Sequence, residues 1–243
     1  MAGSKKGDLK PWQRKQWCLA TVGPEFVCAM EDILGLLSEP YDGKRPVVCF
    51  DEQPVQLLAD TRETLPVRPG QAERQDYEYK RQGTANIFMT VEPLAGWRHV
   101  DATAQRTTLD FAAQMKQLVD VYYPQAECIR VVLDNLNTHK RASLYAAYPP
   151  EEAFRILRRL EFHHTPKHAS WLNPAECELS AFTSQCLDRR IADRPKLSRE
   201  AAAWEEQRNR EHTRIHWRFS IETARTKLHR LYPELPSING TMH

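Results

Sequence analysis

Three acids in this chain are placed where a reaction could use them. Asp51 follows the apolar run "VVCF", Asp134 follows "VVL" within "VVLDNLNTH", and Glu176 lies in "NPAE" at the start of a helical pattern. Asp and Asn often end a strand because they hydrogen-bond their own backbone, so either Asp alone has an ordinary structural explanation. Glu176 has one too: Asn173 reads as an N-cap, Pro174 as the first helical residue and Glu176 as the third, where it caps in return. Taken together, the three carboxylates are hard oxygen ligands. They suit two Mg²⁺ or Mn²⁺ ions that activate a nucleophile and stabilise the leaving oxygen of an in-line phosphodiester displacement. On this reading Asp51 bridges both ions, Asp134 completes the shell of one and Glu176 that of the other. Glu176 borders an apolar stripe, where an unpaired carboxylate is costly and a cation would relieve it.

The elements that must position these acids follow from periodicity and punctuation. Residues 25–37 read as a helix, "VVCFDE" as a strand, and "ANIFMTVEPLAGWRHVDAT" as a hairpin turning through Pro93 to Gly96. The stretch from Thr61 to Gly83 is polar. Thr107 to Tyr122 carries a helical stripe, with Thr107 and Asp110 as a capping box and Pro124 as the stop. The Asp134 strand comes next, then "PPEEAFRILRRL" as a short helix, "EFHHTP" as a strand, and a helix whose stripe is Leu172, Ala175, Leu179, Phe182 and Cys186. A meander followed by strands alternating with helices is an α/β fold, a mixed sheet flanked by helices. If the first and fourth strands are neighbours, Asp51 and Asp134 lie side by side despite the 83 positions between them. Pro54 has no N–H and leaves open whether pairing continues past it.

Composition narrows the classes. With 34 Lys and Arg against 32 Asp and Glu, the net charge of +2 makes no global case for a nucleic-acid partner. From Cys186 to Arg230 there are twelve Lys and Arg against seven acids, with Trp204 and Trp217 interleaved. That segment either tracks a DNA backbone or forms an amphipathic helix with a solvated face. Six cysteines without a CxxC pair argue against a zinc ribbon or a disulfide framework and fit a reducing, cytoplasmic setting. His163, His164 and His168 lack the partners zinc requires and read as flanking or solvated groups. No stretch is long and apolar enough to span a bilayer.

The blocks "VVCFDE", "RVVLDNLNTH" and "HTPKHASWLNPAE", in that order, resemble the catalytic core of DDE transposases of the mariner superfamily, most closely the bacterial insertion-sequence "six-thirty" branch. "QGTANIFMTVEPLAGWRHV" and "LDRRI" resemble family segments as well, and the likeness runs from about Pro46 to Pro233. It implies an RNase H-like fold, metal-dependent DNA cleavage and strand transfer, and Asp51, Asp134 and Glu176 as the three acids. It further implies double-stranded DNA partners (transposon ends and target), a homodimer assembled on DNA, and a bacterial, nucleoid-associated location. Asn135, His139, Lys167, His168, Asn173, Arg189 and Arg190 are the candidates for orienting the acids or touching DNA; Asn135 and His139 read equally well as a turn residue and a surface histidine. The Asp134 to Glu176 interval of 42 positions exceeds the mariner spacing, and the excess falls around "LYAAYPPEEA". Residues 1–45 read as the remnant of a helix-turn-helix region, 46–195 as the core, and 196–243 as a helical basic segment. The competing readings are a decayed or domesticated fragment that binds DNA without cutting, and a structure-specific nuclease that lacks strand transfer.

Overall fold

The computed structural model describes residues 23–233 apart from 64, 66, 67, 72, 73 and 75, so the start of the expected remnant, 1–22, lies outside the described residues. Helix α1 (Pro24–Ser38) begins with proline at its first position and buries Met30, Ile33, Leu34 and Leu36. Five strands follow: β1 (Val47–Asp60), β2 (Tyr79–Glu92), β3 (Trp97–Thr103), β4 (Ile129–Leu133) and β5 (Leu160–His164). Their order across the sheet is β3-β2-β1-β4-β5. The β1–β2 and β2–β3 pairs are antiparallel, while β4 runs parallel to both β1 and β5.

The helices between them are α2 (Thr108–Gln117), α3 (Ala142–Ala147), α4 (Pro150–Leu157), α5 (Ala175–Cys186), α6 (Arg194–Arg210) and α7 (Ile221–Lys227). The Thr107–Asp110 capping box that starts α2 is present. The stripe that follows does not continue as an α-helix to Tyr122: residues Leu118–Tyr122 form a π turn, closed by the Tyr123 N–H on the Leu118 carbonyl at 3.0 Å. The extra residue in a π turn rotates the chain beyond it. Tyr122 and Tyr123 thereby meet Trp97, with ring centroids 5.0 and 5.5 Å away. The stretch "LYAAYPPEEA" spans the end of α3 and the first turn of α4.

Alternation along β1 splits the core in two. Val48 and Phe50 face a cluster with Phe88, Phe111, Met115, Ile156 and Leu160, covered by α2, α3 and α4. Cys49, Val55 and Leu57 face the other cluster, with Ile33, Leu172, Leu179, Phe182 and Trp204, covered by α1, α5 and α6. A strand buried on both faces cannot slip by one residue without exchanging every side chain between the two cores, so the register that places Asp51 is strongly specified.

One expectation about β1 is corrected: the strand does not stop at the acid but runs nine residues past it, to Asp60. The question left open by Pro54 is answered as well: pairing continues past it, with Pro54 in register with Asn86. Ladder contact with β4 is confined to Val47–Cys49, so by Pro54 the strand has an open side on which a missing N–H costs no sheet hydrogen bond.

Candidate active site at the β1, β4 and α5 junction

Parallel pairing sets the first two acids. Cys49 lies opposite Val132, and two residues further along each strand the same register brings Asp51 beside Asp134. Asp51 is buried at 8% exposure, and its amide neighbour helps it: the Glu52 N–H donates to Oδ1 at 2.8 Å. Burial nevertheless pushes the Asp51 carboxyl up to about 7, with the nearby charges of Glu176, Glu52 and Asp134 adding to the rise. A cation beside such a carboxylate would relieve both its desolvation and the like charge around it.

The third acid is brought in by Asn173. This residue is fully buried; its Nδ2 donates to the Phe50 carbonyl at 2.9 Å and lies 3.5 Å from Asp51 Oδ2, while its Oδ1 accepts from the Ala175 N–H at 3.2 Å. One amide thus ties the start of α5 to the acid of β1. The expected capping arrangement is corrected in detail. The residue flanking α5 is Pro174, which has no side-chain cap, and Asn173 satisfies the Ala175 N–H from one position further out. A 3₁₀ turn over Ser170–Leu172 leads into the helix and shifts its start by one residue, so Glu176 is the second helical residue and not the third.

The expectation that Glu176 is costly at the edge of an apolar stripe also fails, because Glu176 is exposed. It lines a cleft with Gln53, Ser180 and Thr183. The buried acid of α5 is Glu178, and it has its cations: Arg98 Nε at 3.1 Å and Arg208 Nη2 at 2.8 Å.

His139 is buried at 1% exposure and stands between two acids. Its Nδ1 is 2.6 Å from Asp134 Oδ1, and its Nε2 is 3.0 Å from Glu52 Oε2, a charge contact not aligned as a hydrogen bond. Phe50 and Phe111 pack on the ring at centroid distances of 5.5 and 4.8 Å. Burial works against the imidazolium, but Asp134 and Glu52 outweigh it and lift His139 to about 9. Burial likewise works to raise Asp134, yet His139 and the Leu136 N–H hold it below the ordinary carboxylate value. Arg106 extends the chain, 3.6 Å from Glu52 Oε1. The part played by Glu52 was missed; a second acid directly after Asp51 must point to the opposite sheet face, and that alternation is the signal for it.

The remaining candidates divide. Asn135 donates from Nδ2 to the Thr165 carbonyl, so it ties β4's end to the loop after β5 and does not orient Asp134. The backbone of Asp134 is held instead by His164, whose Nδ1 lies 3.1 Å from its carbonyl. Lys167 and His168 are exposed and line a groove with Asn135, His164 and the first turn of α1. His168 has φ of 64°, a left-handed conformation that is strained for a β-carbon residue. Arg189 and Arg190 are committed to the protein. Arg189 pairs with Glu200, and Arg190 donates to Asp60 and to the Glu78 carbonyl at 2.8 Å each and lies over the Tyr79 ring. His163 contacts Asp32 at 2.8 Å and Glu161 at 3.1 Å.

Among the described residues no three His, Cys, Asp or Glu side chains stand close enough to form a ready metal cage. Asp134 is drawn to His139 and Glu176 to the cleft. The donor set nevertheless fits a hard divalent cation: oxygen ligands only, a desolvated Asp51 at the centre, and two further acids whose charges it feels.

Residues 46–198 match the family model described as "DDE superfamily endonuclease". The fold is shared with solved structures of the Mos1 transposase. The paired-end complex with Mn superposes with a TM-score of 0.54 at 15% identity, over 85% of this chain and 62% of that one. The strand transfer complex gives 0.52 at 14%, with 85% and 62% covered, and the pre-cleavage transpososome 0.51 at 12%, with 86% and 67% covered. The chain therefore spans about 62% of the length of the first of these relatives. Comparison with curated proteins finds no match.

Proposed function

The chain belongs to the DDE superfamily endonuclease family, and from that membership we propose that it is the RNase H-like catalytic core of a mariner-type transposase, one that cuts DNA at transposon ends and joins them to target DNA. The observation that carries the reading is the junction itself: one buried amide, Asn173, binds the helix of Glu176 to the strand of Asp51, which lies in register with Asp134.

Asp51, Asp134 and Glu176 are the residues that would hold divalent cations. Bound there, Mg²⁺ or Mn²⁺ supplies Lewis acidity at the scissile phosphate and counter-charge for the acids. In the hydrolytic step the oxygen of water forms a bond to phosphorus, the P–O3′ bond breaks, and the proton lost by water balances the one gained by the 3′-oxygen. In strand transfer the released 3′-OH attacks a target phosphodiester in the same way. Asp51 presents a carboxylate on a rigid, doubly buried strand, which fixes it better than a loop would. His139 holds the carboxylate of Asp134 in a set orientation and Glu52 holds His139. Two ions, DNA as the bound partner, and a homodimer assembled on the ends belong to this same proposal.

The test is purified protein, Mn²⁺ and a pre-nicked end substrate. Joined product, abolished by chelation, is the expected result. Cleavage without joining would favour a nuclease, and binding without either would favour a non-catalytic fragment.

A further inference from the structure

Between α6 and α7 the sequence reads "HTRIHWRF", residues 212–219, with no acid in it. The segment belongs to neither helix nor strand, yet its burial alternates strictly. His212, Arg214, His216 and Arg218 are exposed, and Thr213, Ile215, Trp217 and Phe219 are partly buried. Ile215, Trp217 and Phe219 pack on the α1–α5–α6 core. Period two is the signature of an extended chain; His212, with φ of 47°, turns the chain into it, and from Arg214 on the outward side chains recur every two residues, about 6.4–6.8 Å apart. That repeat is comparable to the separation of successive phosphates along one nucleic-acid strand.

The segment is pinned at both ends. Arg98, fully buried, donates to the Thr213 carbonyl at 2.5 Å, and the Ile215 N–H donates to the Pro93 carbonyl at 3.0 Å. The His212 carbonyl oxygen lies 2.7 Å from where a Cβ on Gly96 would sit, so only glycine lets the chain pass that turn. At the far end Phe219 meets Trp171 edge to face, with centroids 5.6 Å apart. Trp171 is exposed and lies two residues before Asn173. The outward arginines and histidines therefore stand on an ordered track before any ligand arrives, which lowers the entropy lost on binding.

The charges are also uncommitted. Other arginines of this region are engaged: Arg189 with Glu200, Arg208 with Glu178, Arg210 with Glu206 and Arg225 with Glu31. Among the described residues the side chains of Arg214, His216 and Arg218 have no hydrogen-bond or ion-pair partner. From the spacing, the anchoring and the free charges, we infer that residues 212–219 are a preformed rail for the sugar-phosphate backbone of one DNA strand, ending at the Phe219–Trp171 contact beside the active-site loop. The inference rests on the proposed DNA substrate. It adds the surface that grips that substrate away from the reacting phosphate.

The test is binding of a labelled DNA duplex by the full chain in EDTA over a salt series, so that no chemistry intervenes. Each phosphate contact contributes about 0.9 to the slope of log K against log salt. Arg214→Gln with Arg218→Gln should therefore flatten the slope by about 1.8. Arg214→Lys with Arg218→Lys should restore the slope, which a purely structural role would not require. Arg158→Gln, an exposed cation just past the C-terminal end of α4 and across the sheet, should leave the slope as it was. A wild-type slope in the double glutamine variant overturns the rail alone. A wild-type chain that does not bind duplex at all overturns the DNA reading, and the rail with it.

Discussion

His139 is where the two faces of the site meet, since it touches Asp134 at the end of β4 and Glu52 beside Asp51. Glu52 and His139 are both almost wholly buried, at 2% and 1% side-chain exposure. Breaking such a pair leaves one charge unpaired in a low dielectric, a loss of about 3–5 kcal/mol, whereas removing both charges costs much less. His139→Gln should therefore destabilise the fold on that order in urea unfolding, and Glu52→Gln combined with His139→Gln should cost clearly less than the two single changes added. Strict additivity would show that the two do not act as a pair. The sequence made His139 a candidate but left it even with a surface histidine, because nothing local announces a partner 87 positions away. Glu176 shows the reverse error: its place in the first turn of the helix was legible, though one residue off, but the argument from burial belonged to Glu178, two residues on, whose partners come from β3 and α6.

At the level of elements, the site depends on a join between α5 and β1 that no propensity encodes. Local pattern foretold all five strands at least in part, both stripes and the α2 capping box, because each is written in neighbouring residues. It did not foretell where β1 ends, since β2 is the only strand that pairs with its second half and the other contact there, the Leu58 N–H on the Ile191 carbonyl, comes from far along the chain, nor that Asn173 spends its amide on β1. Asn173→Ala leaves the Phe50 carbonyl and the Ala175 N–H without these partners, at a cost of about 1–3 kcal/mol. Cleavage should fall further than stability, because a ligand misplaced by about 1 Å can lose a hundredfold in rate. Activity that follows only the folded fraction over temperature would contradict the coupling. Gly96→Ala should also destabilise, by about 1 kcal/mol or more, because Gly96 has φ of 70° and an added Cβ would lie 2.7 Å from the His212 carbonyl oxygen. A thermal midpoint equal to wild type would mean that the 212–219 segment is not fixed against the β2–β3 turn.

For the whole molecule, the two cores on either side of the sheet carry the fold, and surface charge tunes it. Asp120 is held by Arg155 at 2.8 and 2.9 Å and by Lys116 at 2.9 Å, and Lys116 also pairs with Glu152. The Arg155 hydrogen bonds outweigh partial burial and lower Asp120 to about 2. A carboxyl lowered on folding stabilises the protein above its unfolded value, near 4, and that stability is lost as pH falls toward 2. Asp120→Asn should lower stability at neutral pH by under about 1 kcal/mol, given the exposure of the network, and the difference from wild type should vanish in acid. A gap that persists at low pH would rule out ionisation as its cause. The basic stretch from Cys186 to Arg230 was legible as either a DNA-backbone track or an amphipathic helix; the outward row at 212–219 within it was not, because it depends on an extended backbone, held by Arg98 and Gly96, that no local pattern encodes. Whether Asp51, Asp134 and Glu176 act as one metal-binding set is decided by metal-dependent cleavage in Asp51→Asn, Asp134→Asn and Glu176→Gln. These changes remove a charged ligand with little change in volume, so each variant should keep its fold and duplex binding and lose cleavage. Substantial Mn²⁺-dependent cleavage by any one of the three would remove that residue from the set.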